Sequence, residues 1–175
     1  WVAQNWTRPD DGTWEVSGGR KQFLHSRVMC WVAVDRTLRM AQTRSLPAPF
    51  HEWEILRTTI YESVFDEFWS DELQAFVAYI GADFVDASAL LIPLVRFISP
   101  IDPRWLGTMK KIEIDLTEDA LVYRYNNRAT GVDGLEGTEG TFTACSFWYI
   151  ECLARSQQLD KARLLFEKMI SYANH

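Results

Sequence analysis

The pair Trp14-Glu15 lies among turn residues, with Pro9-Asp10-Asp11-Gly12-Thr13 before it and Ser17-Gly18-Gly19 after it. A carboxyl presented beside a large apolar ring resists ionisation, which is what a general acid working near neutral pH requires. The plainer alternative for Glu15 is a solvated loop glutamate. A second run, Leu121-Val122-Tyr123-Arg124-Tyr125, sets an arginine between tyrosines. Planar donors beside an aromatic wall suit a ligand rich in hydroxyls. Asp133, Glu136 and Glu139 follow among glycines, as acid–base groups or hydroxyl clamps. For Glu139 the plainer role is to complement the dipole of the helix that follows. Asp83 and Asp86 are a further acidic pair, and Asp86 reads as a helix cap before it reads as a ligand.

Composition narrows the chemistry. The 175 residues carry 18 basic and 24 acidic side chains, a net charge of −6. A nucleic acid or an anionic membrane is bound by dense positive charge, so neither is an expected partner. No apolar run reaches the ~18–20 residues of a spanning helix, and Trp1-Val2-Ala3-Gln4-Asn5 does not read as a signal peptide. The three cysteines, Cys30, Cys145 and Cys152, form neither a disulfide framework nor a zinc site. They read as small buried hydrophobes in a reducing cytoplasm. His25, His51 and His175 have no ligand spacing, so no metal and no cofactor is expected. Some of the 8 Trp, 6 Tyr and 10 Phe are core, but Trp is also a good face for stacking a sugar ring.

The elements that must hold these residues alternate in character. Three segments, about 22–44, 86–98 and 140–155, are apolar almost all round and should be packed on most sides. Pro93 lies too deep in the second for a comfortable first turn and predicts a kink or a break. Each is followed by a one-sided helix: Glu52 to Phe68, Pro103 to about Leu116, and Asp160 to Tyr172. In the last, Ala162, Leu165, Phe166, Met169 and Ile170 form the inward stripe. This order predicts three helical hairpins in two layers, an all-α fold with short strands at Ala75 to Ile80 and Leu121 to Tyr125. Connections from inner to outer helices are short, and those from outer to inner are long. The long ones therefore gather at one end, above the N-termini of the inner helices, where sites usually sit.

Trp6-Thr7-Arg8-Pro9-Asp10-Asp11-Gly12-Thr13-Trp14-Glu15-Val16 and His25-Ser26-Arg27-Val28-Met29-Cys30-Trp31-Val32-Ala33 resemble the catalytic domain of glycoside hydrolase family 15. That family comprises glucoamylases, glucodextranases and prokaryotic trehalases. The likeness continues through Asp86-Ala87-Ser88, Tyr123-Arg124-Tyr125, Asp133-Gly134-Leu135, Glu139-Gly140-Thr141-Phe142 and Cys145-Ser146-Phe147-Trp148. It implies an (α/α)6 barrel of six inner and six outer helices with the active site over the inner N-termini. It implies Glu15 as catalytic general acid and Trp14, Arg124, Tyr125 and Glu139 as substrate-binding residues. Fungal glucoamylases carry a second glutamate directly after the acid, where this chain has Val16, so the prokaryotic branch is the closer match.

Twelve helices of ~11–12 residues with connections of ~4–6 need roughly 200 residues, more than this chain has. Residues 1–175 are therefore expected to be one domain, an incomplete catalytic barrel. The family's general base lies in a Gly-Leu-hydrophobic-Ser-Glu-Glu-like stretch, which resemblance places beyond His175. The reading is an inverting exo-acting α-glucosidase, releasing glucose from α-glucan or α-linked oligosaccharide ends, with the isolated chain inactive. One alternative is trehalose hydrolysis on the same scaffold. Another is a non-catalytic regulatory or carbohydrate-binding module, as the phosphorylase kinase regulatory subunits resemble this family; a plain helical scaffold is the third. The expected partner is an oligosaccharide or disaccharide. A half-barrel would also expose inner-helix faces, which implies a homo-oligomer or other association through them.

Overall fold

A computed structural model describes residues 1–15, 18–125 and 140–173. Among the described residues the α-helices are α1 (Val2–Asn5), α2 (Leu24–Thr43), α3 (Phe50–Phe68), α4 (Leu91–Leu94), α5 (Pro103–Leu116), α6 (Thr143–Arg155) and α7 (Leu159–Ser171). A 3-10 turn at Ala87–Leu90 runs directly into α4. The second inner segment is thus a broken helix, with Pro93 inside a single turn of α-helix. Asp102 caps α5 by accepting from the Arg104 N–H at 2.9 Å, and Pro103 fills a first-turn position whose N–H would have no partner. Each of the first two outer helices ends in a two-residue antiparallel hairpin. Strands β1 (Trp69–Ser70) and β2 (Ala75–Phe76) pair after α3, and β3 (Thr117–Glu118) and β4 (Leu121–Val122) pair after α5.

The layers follow the expected alternation. Helix α2 packs on α3, the 3-10 turn on α5, and α6 on α7; α2, α4 and α6 touch one another in sequence as the inner row. The core fills the space between the layers with Leu38, Ile60, Phe68, Phe76, Leu90, Trp105 and Leu153, all fully buried. Arg27 is buried on α2, where it donates to Ser63 Oγ of α3 at 2.7 Å and lies against the rings of Trp6 and Phe68. At Gly107, α5 comes so close to the first hairpin that an added Cβ would stand 2.4 Å from the Gln74 carbonyl oxygen. That approach lets Thr108 Oγ1 accept from the Phe76 N–H at 3.0 Å.

Two expectations need correction. The inner helices are not enclosed all round: α2 exposes Met29, Ala33 and Met40, and α6 exposes Phe147. The inward stripe on α7 is also narrower than its period suggests. Ala162 and Met169 are buried and Leu165 is half-buried, while Phe166 and Ile170 stay exposed. Phe166 instead meets the exposed Phe147 edge to face at 6.3 Å. Apolar periodicity marks which side chains could face a neighbour, and these helices have described neighbours on only part of their circumference.

Candidate functional site

The three long connections meet. The first lies on the second through an antiparallel bridge of Phe23 and Tyr79: the Leu24 N–H donates to Ala78 O at 3.0 Å and the Ile80 N–H to Gln22 O at 3.1 Å. The second meets the third where the Ala87 N–H donates to the Arg124 carbonyl at 2.9 Å. Phe23 of the first and Tyr125 of the third are buried together, with Tyr79 packed against them. Strand β4 is held to the start of α6 by the Phe142 N–H to Val122 O bond and by Ser146 Oγ, which accepts from the Val122 N–H, both at 2.9 Å.

Trp14 sits where the connections cross. Its indole N–H donates to both carboxylate oxygens of Asp86, at 2.9 and 3.0 Å. Its ring stacks on Trp148 at 6.3 Å and meets Phe142 edge to face at 5.8 Å. The Arg124 guanidinium lies 5.5 Å over it. The indole is therefore turned into the protein, and Glu15 beside it is exposed. The ring that the sequence sets beside the Glu15 carboxyl is taken up by Asp86 and the aromatic wall. Glu15 instead has a left-handed backbone, φ 51°, an uncommon state for a residue with a Cβ.

Glu15 faces an open cleft of about 870 Å³, which Trp6, Asp10, Asp11, Arg20 and His25 also line. A disaccharide-sized ligand fits a cleft in this range. Asp10 is fixed there as an acceptor for the Gly12 N–H at 2.7 Å and for Ser26 Oγ at 3.0 Å. Burial lowers the pKa of His25 from its ordinary value, and the nearby Asp10 carboxylate opposes that shift. Neither Asp10 nor His25 was given a site role from sequence; both lie in the runs that carry the family resemblance, but a place close to Glu15 in the chain is too common to select them.

Asp86 is a cap, as the sequence suggests, accepting from the Ser88 N–H at 2.6 Å. It is also buried, and desolvation raises its pKa against the opposing pull of Ser88, Trp14 and Arg124. Cys145 lies nearby, its thiol pushed up to about 12 by burial first and the Asp86 charge second. The sequence-assigned residues thus divide. Trp14, Arg124 and the buried Tyr125 form one contiguous group, and Glu15 opens from its edge into the cleft. Asp133, Glu136 and Glu139 lie outside the described residues.

Helix pairs in two layers, with their long connections crossing at an aromatic–carboxylate–arginine cluster, define part of an α/α-barrel of the glycosidase type. Two solved glycosidase structures share that fold, each with a TM-score of 0.82 over 99% of this chain and 44% of their own, at 19% and 20% identity. The second of them is in complex with glucose. The chain belongs to the glycosyl hydrolases family 15, whose family model matches residues 1–174. It is similar to the trehalase of Mycobacterium tuberculosis, at 39% identity over 99% of this chain and 25% of the relative. It is similar also to the trehalase of Thermoplasma acidophilum, at 39% identity over 97% of this chain and 29% of the relative. The chain therefore spans between a quarter and a third of the length of these relatives.

Proposed function

We propose that the whole protein carrying this chain hydrolyses an α-linked glucose disaccharide, trehalose, with inversion. Glu15 gives its proton to the departing glycosidic oxygen. A base elsewhere in the protein takes a proton from water as its oxygen bonds to the anomeric carbon from the opposite face. Two glucose molecules leave, one of them inverted. Arg124 holds sugar hydroxyls by its planar donors, and the Trp14 ring backs its guanidinium. The observation that supports this best is that the exposed Glu15 lines the cleft, one residue from the ring under Arg124.

The sequence reading put a glucan-end α-glucosidase first and trehalose second. The similarity to trehalases at 39% identity favours the second for this chain. Proton NMR of trehalose treated with the whole protein tests it. Early in the reaction α- and β-glucose should appear in about equal amounts, since one ring is released with its configuration kept and the other inverted. Rapid turnover of maltose with trehalose untouched would restore the glucan-end reading. Binding of glucose without turnover of either sugar would favour a non-catalytic module.

A further inference from the structure

We propose that Asp86 is a positioning residue for the candidate acid: its carboxylate holds the Trp14 indole, and the backbone N–H that follows it holds the Arg124 segment, in one arrangement that fixes the Glu15 turn. The inference rests on the reading of Glu15 as the acid. Capping alone does not account for Asp86. The Ser88 N–H uses only Oδ1, at 2.6 Å, whereas Oδ2 accepts from the Trp14 indole at 2.9 Å. The residue after it holds the third connection, through the Ala87 N–H to Arg124 carbonyl bond. One buried side chain, with its neighbour, therefore touches all three connections.

The Glu15 turn needs such an anchor. Its own backbone N–H makes a 3.4 Å bond to Gly12 O, at the long end of the useful range. The left-handed φ of 51° must be held by its surroundings. Trp14 is the adjoining residue, and its ring stacks on Trp148 and meets Phe142 edge to face. Among the described residues, Asp86 is the hydrogen-bond partner that ties the indole N–H. A displacement of about 1 Å at a reacting group can cost on the order of 10²-fold in rate.

Asp86→Ser separates capping from positioning, since serine caps well but is too short to reach the indole. In the whole protein this variant should lose roughly 10–100-fold in kcat on trehalose, with KM within about threefold. It should lose several-fold less on α-glucosyl fluoride, whose leaving group needs no proton. Asp86→Asn keeps an acceptor for the indole and should recover most of the loss. Trp14→Phe removes the donor without touching the cap, and adding Asp86→Ser to it should cost no more than about threefold further. In ¹H–¹⁵N spectra the Trp14 indole signal, assigned by its absence in Trp14→Phe, should shift in Asp86→Ser. Equal losses on both substrates, an unchanged kcat, an unmoved indole signal or full additivity with Trp14→Phe would each overturn the proposal. A wild-type protein inactive on both substrates would overturn the glycosidase reading itself, and the indole signal would still show whether Asp86 holds Trp14.

Discussion

The guanidinium of Arg124 lies 5.5 Å over the Trp14 ring and 5.9 Å from that of Phe142, a cation set against an aromatic wall. Its plane is matched both to those rings and to pairs of ligand oxygens, which an ammonium is not. Arg124→Lys should therefore raise KM for trehalose by about 10–100-fold, the equivalent of one or two good hydrogen bonds. The effect on kcat should be smaller. Steady-state kinetics decide it, and a fall in kcat at constant KM would place Arg124 in the chemical step instead.

Glu15→Gln removes the proton and keeps the shape. Turnover of trehalose should fall by about 10²–10⁴-fold, the usual worth of a general acid. Turnover of α-glucosyl fluoride should fall much less. Parallel losses on the two substrates would show that Glu15 binds sugar and does not protonate it.

Gly107→Ala places a Cβ 2.4 Å from the Gln74 carbonyl oxygen, a contact that must be relieved by moving backbone. The adjacent bond from the Phe76 N–H to Thr108 Oγ1 would be strained with it. Overpacking of this kind costs about 1–3 kcal/mol, read as a lower urea midpoint. An unchanged midpoint would mean that α5 slides freely along the first hairpin.

His25 sets a pH dependence. Burial lowers its folded pKa below the ordinary 6.5, and the Asp10 carboxylate opposes this only in part. Between the two values the unfolded chain binds a proton that the folded chain does not, so ∂ΔG/∂pH is positive there. The stability is fully present above about pH 6.5 and is lost as pH falls toward the folded pKa. His25→Gln should flatten that limb of the profile in urea melts across pH 5 to 8. A difference between the two proteins that does not change with pH would rule it out.

Helix boundaries were legible wherever a local signal existed. Pro103 starts α5, and Pro93 marks the segment where the inner helix breaks. Both act through their own or adjacent backbone groups, which sequence shows directly. The pairing of Trp14 with Asp86 spans 72 residues and exists only once three connections have been brought together. Sequence placed both residues in the right loops and gave Asp86 its cap. It read the Trp14 ring as a partner for Glu15, when the ring points at a distant carboxylate. The exposed sides of α2 and α7 were misread for a related reason. Periodicity reports a side chain's preference for apolar company, and whether company is present depends on elements remote in the chain.

The left-handed backbone at Glu15 has a consequence for evolution and engineering. A residue with a Cβ gives up about 1 kcal/mol or more to sit there, and glycine or asparagine would recover much of it. A screen that rewards heat resistance alone should therefore drift toward Gly or Asn at position 15 and discard the carboxyl as it does so. Durability and turnover would then compete for a single codon. A thermostable variant of this protein that kept Glu15 would have found its gains elsewhere.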